Sequence, residues 1–188
     1  RASYPISFTL EEAWTTSGIS RLRAIQALLG WRKSDEIVKR LKVLVSDPDP
    51  SLRLAAAGRL VALGRPEGLS VLQTMIVRGD VRDRRFAVLQ LAQWKKPEVT
   101  TSLVSGLRDP DRLVRLMSAV ALLRREDPTS LMGVQEKLMG EKDILLRLLL
   151  SWTLVRLKDT SAASLFQPML LDSNQPILVR WGAARYHL

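Results

Sequence analysis

Apolar and polar positions follow a helical rather than a strand period along most of this chain. RLAAAGRLVAL (53–63), RRFAVLQLAQW (84–94), RLMSAVALLRR (115–125) and RLLLSWTLVRL (147–157) carry apolar residues at three- and four-residue spacing among strong helix formers. A short break follows each, and then a second segment of the same kind: EGLSVLQTMIV (67–77), EVTTSLVSGL (98–107), TSLMGVQEKLM (129–139) and SAASLFQPMLL (161–171). Pro66, Pro97 and Pro128 fall in the breaks, 31 residues apart. Proline stops the preceding helix and is tolerated in the first turn of the next. Pro168 lies inside the last segment and predicts a kink there. No segment shows the alternation of a strand. The pattern predicts an all-α chain built of helix hairpins.

The hairpins are copies of one unit. DPDPSLR (47–53), GDVRDRR (79–85), RDPDRLVR (108–115) and EKDILLR (141–147) place Asp49, Asp80, Asp111 and Asp143 four residues before Arg53, Arg84, Arg115 and Arg147. Those arginines are 31, 31 and 32 residues apart. The series extends forwards to Arg180, with Pro176 in the aspartate position, and backwards to Arg21, with Ser17. One hairpin cannot bury its apolar stripe, whereas stacked hairpins can. The predicted organisation is a lead-in segment at 1–18 followed by a single array over 19–188. Thr9-Leu10-Glu11-Glu12 is a capping-box pattern that predicts a short helix over 9–16. Repeats are expected at 19–46, 47–78, 79–108, 109–139 and 140–171, with a half repeat at 172–188. That last helix, QPILVRWGAARYHL, is apolar and would need another domain or subunit to cover it. Arg stands at position 1 instead of Met, as expected for a processed chain or a piece of a longer protein.

The D-P-D-x-x-(V/L)-R opening, the Ala-rich first helix and the 31-residue period resemble HEAT-like repeats, of the short bacterial type named after phycobilin lyases. The resemblance spans residues 19–188. It implies a right-handed α-solenoid of about five and a half repeats, with the second helices along the inner, concave face. It also implies a scaffold or protein-binding role. Fewer proteins of this fold are enzymes or bind nucleic acid.

The recurring aspartates invite a metal-site reading, which the sequence disfavours. Neither Asp47/Asp49 nor Asp109/Asp111 is followed by the glycine and distal glutamate of a calcium loop. Recurrence in four units suits helix N-caps and contacts between layers better than one active site. The resemblance implies the same structural ladder of Asp–Arg contacts. The chain has no cysteine, and its single histidine is His187, so thiol chemistry and His-based metal clusters drop out. No catalytic residue, metal or cofactor is predicted. No apolar run approaches the ~20 residues of a membrane span.

The formal charge is +10, with surplus cations concentrated in 1–46 and 79–108. Cations close most first helices and anions open the second ones, so this edge is expected to be largely self-neutralised. Trp31-Arg32-Lys33 and Trp94-Lys95-Lys96 occupy equivalent positions. Each trio could stack a ring and hold phosphates, but Leu63 and Leu157 at the same register favour burial. Along the second helices, Lys42, Gln73, Val104, Gln135 and Gln167 form one column, and Lys39, Ser70, Thr101, Met132 and Ser164 another. These are mostly uncharged, which suits a peptide or protein better than duplex nucleic acid. The candidate partner-binding residues are therefore Lys39, Lys42, Gln73, Gln135, Gln167 and the two Trp–cation trios. The expected function is a non-enzymatic interaction or scaffold module within a larger protein or complex. The alternative is a nucleic-acid-binding HEAT-like protein, similar to the DNA glycosylases of this fold, using the basic edge of repeats one to three.

Overall fold

A computed structural model of the chain describes residues 35–159, together with Leu171 and Arg180. The expected helix over 9–16, Trp31, Arg32, Lys33, Gln167, the kink at Pro168 and all of 172–188 except Arg180 lie outside the described residues.

Every regular element among the described residues is helical. In chain order they are α1 (Asp35–Leu44), α2 (Pro50–Ala62), α3 (Leu69–Arg78), α4 (Val81–Ala92), α5 (Thr100–Gly106), α6 (Arg112–Arg125), α7 (Leu131–Gly140) and α8 (Ile144–Arg156). Three-residue 3₁₀ turns at Pro66–Gly68, Pro97–Val99 and Pro128–Ser130 precede α3, α5 and α7. The break prolines thus open a tighter turn, and the α-helix begins just after it. Proline fits the start of that turn because its missing N–H would have had no helical partner there.

The chain divides into two compact units, residues 1–71 and 72–188, and the division falls inside α3. In the first unit, Ile37, Leu41 and Leu44 of α1 pack on Leu52, Ala56 and Leu60 of α2. Val38, Val45 and Leu63 close the edges of this cluster. Gly68 brings the 3₁₀ turn against the backbone of α2, where a Cβ would stand 2.3 Å from the Ala57 carbonyl oxygen. Gly64, just after α2, has a φ of +73°.

In the second unit α6 is central: it packs against α4, α5 and α8, while α7 packs on α8. Ala87 of α4 and Ala119 and Ala121 of α6 are buried, and such small side chains let helices approach closely. Leu91, Leu103, Leu122, Leu146, Leu150 and Leu154 are fully buried around them. Each such leucine is worth about 2 kcal/mol relative to exposure, so the stacking of hairpins stabilises helices too short to persist alone. Among the described residues, no helix is long and apolar enough to cross a membrane.

Gly68→Ala is expected to lower stability by about 2 kcal/mol, because backbone cannot move aside as a side chain can. Gly140→Ala, where a Cβ meets nothing within 4 Å, is expected to be neutral or slightly stabilising. Thermal or urea unfolding of the two variants measures the contrast.

Candidate functional site

The ladder aspartates begin the first helix of each described hairpin. Asp49 accepts from the Ser51 N–H at 2.8 Å, Asp80 from Asp83 at 2.9 Å, Asp111 from Val114 at 3.0 Å and Asp143 from Leu145 at 3.1 Å. An acidic residue two positions earlier orders the loop ahead of three of them. Asp47, Asp109 and Glu141 accept the backbone N–H of Asp49, Asp111 and Asp143 at 2.8–2.9 Å.

The ladder arginines act on these loops in two ways. Arg53 Nη1 donates to the carbonyls of Asp47 and Pro48, and Arg115 Nη1 repeats this on Asp109 and Pro110. Arg84 Nη1 likewise donates to the Gly79 carbonyl of its own loop at 2.9 Å, and in addition Nε and Nη2 reach the loop of the next hairpin, donating to Asp109 at 2.6 and 3.0 Å. That pair is nearly closed to solvent, with 15% of the Arg84 side chain and 5% of the Asp109 side chain exposed. Arg147 is half-buried at the corresponding register of α8.

Contacts between hairpins also use arginines outside the ladder. Arg85 grips Asp111 through two hydrogen bonds of 3.0 and 2.7 Å. Arg112 grips Asp143 at 2.5 and 3.2 Å. Asp111 and Asp143 thus cap a helix and bind the preceding hairpin at once. The Arg85 guanidinium holds the Asp111 carboxyl down at about 2, and Arg112 likewise lowers Asp143. The arginine-to-aspartate offsets are 25, 26 and 31 residues, so no single period marks them in the sequence.

The far ends of the first helices are joined differently. Arg125, at the end of α6, donates to the backbone carbonyls of Trp94 and Lys96. Burial pushes its guanidinium below the usual arginine range. Trp94 is 5% exposed and its Nε1 donates to Glu98 at 3.3 Å. It therefore offers no open ring face, which corrects its candidacy as a stacking platform: the loop folds the indole into the core. Lys95 and Lys96 are exposed.

The polar column on the second helices is engaged within the fold. Lys42 pairs with Glu67 at 2.6 Å, Gln73 Nε2 donates to the Glu98 carbonyl at 3.1 Å, and Gln135 Nε2 donates to Asp159 at 2.7 Å. Each reaches the break that opens a second helix 24 or 25 residues on. The Lys42 contact lowers the Glu67 carboxyl from its ordinary range. These three residues thus work in packing. In the neighbouring column, Lys39, Ser70, Thr101 and Met132 are exposed.

The edge formed by the first-helix ends is neutralised in part. Arg65 lies 4.0 Å from Asp35 and Arg156 pairs with Glu126, while Asp127 and Glu98 act electrostatically on the Arg125 guanidinium as well as accepting from the hydroxyls of Thr100 and Thr129 and the indole of Trp94. Lys95, Lys96, Arg124 and Lys158 are exposed and make no ion pair with any described residue. Among the described residues, no group of three or more His, Cys, Asp or Glu could hold a metal ion.

Asp109→Ala should cost about 3 kcal/mol by leaving the Arg84 guanidinium shielded and unpaired, against about 1 kcal/mol for Arg115→Ala, which loses hydrogen bonds to carbonyls. Denaturant unfolding ranks the two. A carboxyl depressed in the folded state adds stability above its unfolded value, 3.8 for Asp111, and loses it as pH falls through about 2. Asp111→Asn keeps a capping oxygen and should flatten the fall of melting temperature across that acid window.

Residues 10–90 match the family model described as HEAT repeats. No curated protein matches the chain. HEAT repeats generally mediate protein–protein interaction or scaffolding and are generally non-enzymatic. The match covers α1 to α3 and most of α4, and the capped, arginine-stapled unit recurs beyond it in α6 and α8, so the match and the recurring helical unit support a HEAT-like repeat protein.

Proposed function

We propose that this protein is a non-enzymatic interaction or scaffold module that works within a larger protein or complex. The observation that carries the reading is on α7: Met132 and Met139 are 79% and 83% exposed. Seven residues apart, they lie on one face of the helix, about 10 Å from each other along its axis. Two flexible thioether side chains left in water on one face suit contact with another protein. On α5, Thr101 and Ser105 are exposed and uncharged, so that helix adds no charge of its own.

The chemistry-bearing residues of the second unit support the same reading from the other side. Its described aspartates and its capping-loop glutamate, Glu141, take part in caps, loops and contacts between hairpins. Of the two Trp–cation trios behind the nucleic-acid alternative, the one at Trp94 is no stacking platform because its indole is buried.

Met132→Lys combined with Met139→Lys should change folding stability by less than about 0.5 kcal/mol, since both side chains are already solvated. Crosslinking in a lysate of the source cell should capture a discrete protein with the wild type and lose it with the double variant. A wild type that captures no protein but turns over a substrate overturns the proposal.

A further inference from the structure

The ends of α4, α6 and α8 are tied into one edge of the second unit. Arg125 fastens the end of α6 to the loop Trp94–Lys96 after α4, through the carbonyls of Trp94 and Lys96. Arg156, in the last turn of α8, pairs with Glu126 just after α6. These ties gather Lys95, Lys96, Arg124 and Lys158, all exposed and without an ion pair among the described residues. Of the nearby carboxylates, Asp127 accepts from Thr100 and lies beside Arg125, Glu126 is taken by Arg156, and the exposed Glu98 accepts from the Trp94 indole. Four exposed cations therefore remain on this edge without a carboxylate partner among the described residues.

Backbone geometry supplies a second observation. Lys158 has a φ of +62°, in the left-handed region where a non-glycine residue costs about 1 kcal/mol. The equivalent position after α2 is Gly64, at +73°, which meets the same requirement without strain. Glu126, the equivalent after α6 at +53°, uses its side chain to bind Arg156. Lys158 has no such contact among the described residues, so its side chain does nothing for the fold that offsets the strain.

We infer that this edge, through Lys95, Lys96, Arg124 and Lys158, binds an acidic segment rich in aspartate and glutamate on a protein partner. The inference rests on the interaction-module reading and adds the chemistry of the partner. Charge complementarity selects the occupant: unpaired cations on one edge favour carboxylates that bring compensating charge, and steer their approach. A single-stranded nucleic acid would also bring negative charge, but it binds on aromatic platforms as well as cations. Among the described residues, Trp94 is buried and Phe86 and Trp152 are half-buried, so no open ring lies beside these cations.

The test is fluorescence anisotropy of a short labelled glutamate-rich peptide, with a glycine/serine peptide and a labelled single-stranded DNA as comparison probes. The edge variant carries Lys95→Glu, Arg124→Glu and Lys158→Glu. The control variant, Arg78→Glu, Arg82→Glu and Lys142→Glu, makes the same change of net charge away from this edge. Peptide binding should fall with added salt, weaken about tenfold in the edge variant and about twofold or less in the control. Should the edge variant fail to fold, the corresponding glutamine substitutions must give the same ranking. Equal weakening by the two variants, absence of salt-sensitive peptide binding, or tighter DNA binding with the same dependence on the edge each overturns the inference. If the edge variant still crosslinks to the wild-type partner while the Met132/Met139 double variant does not, the interaction module stands and its acidic-segment edge falls.

Discussion

The backbone N–H groups at the start of each first helix need acceptors, and in this protein a single aspartate supplies one. An N-cap satisfies donors that the helix itself cannot pair, and places negative charge at the positive end of the dipole. Asp111 and Asp143 each also receive an arginine from the preceding hairpin, whose guanidinium spans both carboxylate oxygens, the capping one included. Helix initiation and hairpin stacking therefore share the same carboxylates in the second unit. Charge-assisted, two-point Arg–carboxylate contacts fix orientation as well as distance, and this sets neighbouring hairpins in register.

The opposite ends of the first helices are governed by leftover carbonyls. Arg125 takes those of Trp94 and Lys96 from a half-buried position, which ties the loop after α4 to the end of α6. The same loop buries Trp94 and exposes Lys95 and Lys96. Asp127 and Glu126 are engaged by Arg125 and Arg156, and Lys95, Lys96, Arg124 and Lys158 are left exposed. A pattern that reads as charge balance in one dimension is thus only partly balanced in three.

The second helices show the same reversal. Lys42, Gln73 and Gln135 looked like a solvent-facing column, yet each reaches the break that opens a following second helix. The faces left open carry Met132, Met139 and small hydroxyl residues instead. Packing fixes which polar ends are engaged, because a side chain near an unpaired carbonyl or carboxylate gains more there than in water.

By itself the sequence determined the all-helical class, the hairpin unit, its period and the helix starts. Those depend on local spacing, proline position and the capping of a few consecutive N–H groups, all within one turn of the residue concerned. The register of apolar Leu63 and Leu157 also pointed to the burial of Trp94, whereas the direction of Arg84, Arg85 and Arg112 and the engagement of the glutamine column were decided by tertiary structure alone. Their partners lie 24 to 31 residues away at offsets that vary from hairpin to hairpin. Small differences in helix length and loop geometry shift those offsets, and a long side chain binds whichever acceptor the stacking brings within reach.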